Sequence, residues 1–81
     1  MRNLSIQQTV INTIEQWEQS ESFLFTRGYK KEARVLREAT LLLIEGLQNL
    51  KGDDSLSELM TINSIQNMIL SGNDMLLSIM T

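Results

Sequence analysis

The chain has 81 residues, no cysteine, no histidine and no proline, with a net charge of −3 at neutral pH and 42% hydrophobic residues. One small domain of this size leaves about a third or more of its unfolded surface exposed, so disulfides, a metal or oligomerisation commonly supplement the core. The first route is closed, and without Cys, His or an aspartate-rich calcium loop the second nearly is. Self-association remains.

The acidic balance argues against a general nucleic-acid binder, whose affinity would come from neutralising phosphates. No apolar run reaches the roughly 18 residues of a membrane span. Met1 to Val10 carries one Arg and then polar residues, with no apolar signal segment. These features, with the absence of cysteine, lead to the expectation of a cytoplasmic protein with no membrane partner, no metal and no cofactor.

Apolar residues recur at helical spacing throughout. The first helix is expected from Ser5, because Ser5-Ile6-Gln7-Gln8 has the form of a capping box. Its buried stripe is Ile6, Val10, Ile14, Trp17 and Leu24, with Phe25 at the edge. Gly28 suits the left-handed position that closes a helix, which places Tyr29 next to Leu24.

The second helix is expected from Tyr29 or Lys30 to Leu50. Tyr29, Ala33, Leu36, Thr40, Leu43, Leu47 and Leu50 alternate spacings of four and three. An intramolecular bundle and a parallel zipper both produce that seam, and three heptads favour the bundle. Val35, Ala39, Leu42 and Ile44 widen the apolar arc to roughly 200°, too broad for one neighbour. Lys51-Gly52 is the expected terminus.

Asp53-Asp54-Ser55, with Glu58, predicts the start of the third helix. Ser71-Gly72-Asn73-Asp74 reads locally as a turn, yet Ser64, Asn67, Ser71, Asp74 and Ser78 form one polar stripe only if the helix continues. Continuity is the favoured reading, with Gly72 costing about 1 kcal/mol relative to Ala. Short loops make neighbouring helices antiparallel. The expected fold is all-α: one domain over 1–81, an up-down-up three-helix antiparallel bundle (about 5–27, 29–51 and 54–80), and one protomer of a dimeric helical bundle.

From Leu59 to Thr81 the only ionisable side chain is Asp74. The apolar residues of this helix cover roughly 220° of its circumference, and a two-helix hairpin hides about half of that. The candidate dimer interface is therefore Leu59, Ile62, Ile65, Ile69, Leu76 and Met80. The competing arrangement bends the helix at Gly72 and folds its last turns over the hairpin.

Five of the seven basic residues lie within 27–37: Arg27, Lys30, Lys31, Arg34 and Arg37. With Leu41 they form a candidate basic patch for an acidic partner. Against that stands internal pairing, since a turn at Gly28 puts Glu21 opposite Arg34 or Val35 and Glu18 opposite Arg37 or Glu38. Glu21, on the apolar stripe, is expected to pair with Arg34 or Lys31, and Glu32 to sit at the core's rim. Tyr29 is the only aromatic inside the stretch, which gives no support for base stacking.

Catalysis is not expected. The chain lacks His, Cys and a glycine-rich phosphate loop, and Glu15 and Glu18 share a solvated face. The leading expectation is a non-enzymatic interaction module, dimeric through its third helix and docking on another protein. The alternatives are a nucleic-acid-associated regulator using residues 27–37 and a structural subunit of a larger complex.

Overall fold

The structure, a computed structural model, describes the backbone of residues 2–50 and 55–80 and the side chains of residues 6–50 and 55–79. It consists of α1 (Arg2–Thr26), α2 (Lys30–Gln48) and α3 (Leu56–Met80), with no strand among the described residues. The molecule measures 42 × 18 × 17 Å. A 25-residue helix is about 37 Å long, so α1 and α3 each run nearly its whole length. No described helix is long and apolar enough to cross a membrane.

α1 begins at Arg2, three residues before the expected start. Nothing ahead of Ser5 breaks a helix, and Arg2 and Leu4 are good helix formers, so Ser5 lies inside α1 instead of capping it. The other end follows the sequence. Gly28 has φ +91, Tyr29 N–H donates to the Leu24 carbonyl (2.9 Å) and Gly28 N–H to that of Phe25 (3.1 Å). These two bonds make a Schellman closure. Tyr29 itself does not join the seam: it is exposed and caps α2 without a side-chain bond.

α2 stops at Gln48, earlier than expected. Asn49 is its cap and donates N–H to the carbonyls of Glu45 (3.2 Å) and Gly46 (3.1 Å). The closing and opening signals at Lys51, Gly52, Asp53 and Asp54 lie outside the described residues. Ser55 caps α3 as expected, its hydroxyl accepting the N–H of Glu58 at 3.1 Å.

α1 and α2 pack as a close antiparallel hairpin. Val10, Trp17 and Leu24 meet Ala33, Leu36, Leu43 and Leu50, so the heptad seam is spent within the chain. Buried Thr13 and Thr40 satisfy their hydroxyls locally, on the carbonyls of Thr9 (2.8 Å) and Leu36 (2.9 Å). Val35 and Leu42, which widened the seam, stay exposed.

α3 is one unbroken helix through Gly72, so it does not fold back over the hairpin. The reason lies across the bundle. Gly72 is buried against the ring of Trp17, and a Cβ there would overlap that ring. One residue on, Asn73 Oδ1 accepts the indole N–H of Trp17 at 3.1 Å. An aromatic residue on α1 thus seats in the gap a glycine leaves on α3. Lower down, Ile65 is fully buried and approaches Gly46 of α2. These contacts run α3 parallel to α1 and antiparallel to α2, completing the up-down-up bundle.

Candidate interaction surfaces

The bundle sorts the residues of α3 by direction. Glu58, Ile65 and Gly72, seven apart, define the inward line. Ile65 is 0% exposed, so this candidate interface residue belongs to the core of the protomer. Ile62, Ile69 and Leu76 are half-buried and pack against that core, leaving only their edges to a partner. Leu59 is exposed, and the side chain of Met80 lies outside the described ones.

The apolar surface left over is carried by Leu59 together with residues outside the candidate set. Leu56, Leu59, Met60, Leu70 and Leu77 are 54–74% exposed. At 100° per residue Leu59, Leu70 and Leu77 fall within about 20° of one another, with Leu56 and Met60 some 60–100° round the helix from Leu59. The exposed Ser64, Asn67, Ser71, Asp74 and Ser78 form a polar stripe about 60–140° round the helix from Leu59, the sector that Leu56 and Met60 occupy at its N-terminal end. The sequence held the signal for Leu56, Met60, Leu70 and Leu77 in its apolar periodicity. What it lacked was the phase of the helix, which Trp17 sets by docking on Gly72.

On the other flank of α3 an apolar groove of about 280 Å³ runs beside α2. Ala39 and Gly72 contribute to its lining as the two smallest residues, with the larger Val35 and Leu42 on one side, Met68 and Met75 on the other, and polar Asn67 and Ser71 at its α3 edge. The breadth of the apolar arc on α2 is therefore only partly taken up by α3.

The third surface is at the end of the bundle where α1 turns into α2. Arg27, Lys30, Lys31, Arg34, Arg37 and Leu41 are all exposed. Internal pairing accounts for little of this charge. Glu21 meets Arg37 at 4.0 Å, and neither Arg34 nor Lys31 as expected. Side chains on a helix lean toward its N-terminus, which lets the long Arg37 reach back over the Arg34 position. The Arg37 side chain is 71% exposed, so this pair is worth about 0–1 kcal/mol. Lys31 and Arg34 form no ion pair among the described residues. Glu32 is half-buried at the rim.

Aromatic residues join this patch from α1. Arg27 lies over the Phe23 ring at 4.7 Å and Lys30 over the Phe25 ring at 5.8 Å. Phe23, Phe25 and Tyr29 are themselves 45–61% exposed, so the stretch is not poor in aromatics as the sequence order suggested. An open cleft of about 580 Å³ adjoins it, lined by Gln19, Ser20, Phe23, Leu24, Arg27, Tyr29 and Ile79.

Comparison with protein-family models, with curated proteins and with solved structures returns no match, so the functional reading rests on the chain's own residues and geometry.

Proposed function

We propose that this protein is a non-enzymatic interaction module that works as a homodimer through the outer face of α3. The observation that carries this reading is the row of exposed leucines, Leu59, Leu70 and Leu77, with Leu56 and Met60 beside it. Burying a Leu or Met side chain completely contributes about 1.5–3 kcal/mol. Five chains already 54–74% exposed would contribute roughly 5–9 kcal/mol if one protomer alone brought them, within the range of the 4–15 kcal/mol that association costs. A two-fold axis brings the same patch from both partners, doubling the gain to roughly 10–18 kcal/mol. A two-fold pair supplies that second patch from the chain itself.

The α2–α3 groove supports a second contact in the same module. Its small floor and mostly apolar walls would admit apolar side chains presented by another protein. This combination is that of a compact adaptor or regulator: one face for self-assembly and another for a target.

Sedimentation equilibrium tests the dimer. The 9.3 kDa chain should sediment at twice that mass at micromolar to tens-of-micromolar concentration. Leu70→Glu with Leu77→Glu should return it to monomer with its helical circular dichroism intact, because both positions are exposed in the protomer. A wild-type chain that stays monomeric at hundreds of micromolar would remove the reading.

A further inference from the structure

We propose that the α1–α2 end of the bundle is a binding site for a short acidic peptide segment that inserts an apolar side chain between Phe23, Tyr29 and Ile79. Charge is the first ground. Residues 27–37 hold five basic groups and Glu32, a net +4, so with the whole chain at −3 the remainder carries −7. A molecule this acidic concentrates its positive charge in eleven consecutive residues, and Lys31 and Arg34 have no acidic partner among the described residues. These two exposed cations are open to carboxylates from outside.

A cleft at the same end of the bundle is the second ground, and among the basic residues Arg27 is the one that lines it. Its volume of about 580 Å³ is within the range of small-ligand sites, and Phe23, Tyr29 and Ile79 are the apolar side chains that reach its surface, beside polar Gln19 and Ser20. Such a lining takes a leucine- or phenylalanine-sized side chain. Arg27 is both part of that lining and stacked on Phe23, so a cation stands beside the apolar entrance, restrained by the ring beneath it. Lys30, over Phe25, is held in the same way.

A short peptide fits this arrangement better than nucleic acid. The molecule is only 17–18 Å thick, and a polyanion longer than the patch would run over the surface that carries the net −7. Screening over about 8 Å at physiological salt reduces that repulsion without removing it. A peptide of a few residues confines its charge to the basic end.

The test is an NMR titration of the ¹⁵N-labelled full chain with a synthetic peptide of glutamate pairs separated by single leucines. A matching peptide with serine for leucine and an oligodeoxythymidine serve as comparisons. Amide signals of Phe23, Arg27, Tyr29, Lys30 and Lys31 should move with the leucine peptide, and binding should weaken as salt rises. Arg27→Glu with Arg34→Glu should weaken it by about tenfold or more, and Ile79→Ser should weaken the leucine peptide but not the serine one. The charge reversal touches only exposed positions, and its far-ultraviolet circular dichroism should match the parent. Four results would overturn the proposal: equal binding of the two peptides, tighter binding of the oligonucleotide, unchanged binding after charge reversal, or loss of self-association on that reversal, which would make a second copy the occupant.

Discussion

At the scale of single residues, the contact between Trp17 and Gly72 fixes how α3 sits on the hairpin. Ordinarily Gly→Ala inside a helix gains about 1 kcal/mol. At Gly72 the added methyl would overlap the rigid indole, and overpacking of that kind costs about 1–3 kcal/mol or more. Gly72→Ala is therefore expected to destabilise the protein by about 1–2 kcal/mol in urea unfolding. Gly46 offers the contrast. There a Cβ would stand 3.0 Å from Cγ1 and 3.1 Å from Cδ1 of Ile65, the flexible end of an aliphatic chain, which can yield. Gly46→Ala should change stability by less than about 1 kcal/mol. If the two alanine variants unfold at the same urea concentration, the ring contact is not what holds α3. Asn73→Ala, which leaves the indole N–H without its acceptor, should lower stability by about 1–2 kcal/mol.

At the scale of elements, the three helices are defined by how their ends are closed. Gly28 takes φ +91 to form the turn, and nothing lies within 4 Å of the position its Cβ would occupy. Gly28→Ala meets no clash but must hold a left-handed backbone, so it should cost about 1–2 kcal/mol. Ser55→Ala removes the hydroxyl that accepts the Glu58 N–H and should cost about 1 kcal/mol. Both are read as shifts of the urea midpoint with an unchanged slope, since neither alters the buried surface. A large fall in slope on Ser55→Ala would instead mean that α3 unfolds separately from the hairpin.

For the whole molecule, α1 and α2 supply most of the buried core and α3 packs on their hairpin. Eight hydrophobic side chains are buried in the described core, and only Ile65 belongs to α3. Hydrogen exchange should therefore show Leu36 to Leu43 protected to the global stability, with Leu56 to Met60 exchanging through smaller openings. Dimerisation through the outer leucines would cover part of α3 and tie it down. The midpoint of thermal unfolding should then rise with protein concentration in the parent and not in Leu70→Glu with Leu77→Glu. A concentration-independent midpoint in the parent would leave α3 uncovered in solution.

Helical periodicity, the glycine at 28 and the cap at Ser55 were sufficient to read three helices and their order, because each is decided by neighbours in the chain. The seven-residue spacing of Val10, Trp17 and Leu24, and the alternation from Ala33 to Leu50, likewise named the core of the hairpin. The phase of α3 was not accessible in this way. With apolar residues around more than half of its circumference, several rotations about the helix axis are nearly equivalent in local pattern. The choice among them falls to tertiary contacts, the seating of Trp17 on Gly72 and Asn73 and the approach of Ile65 to Gly46. Those contacts turn Ile65 inward and leave Leu59, Leu70 and Leu77 outside. Likewise the aromatic character of the basic end was hidden by chain order, because Phe23 and Phe25 precede the turn and reach Arg27 and Lys30 only once the hairpin closes.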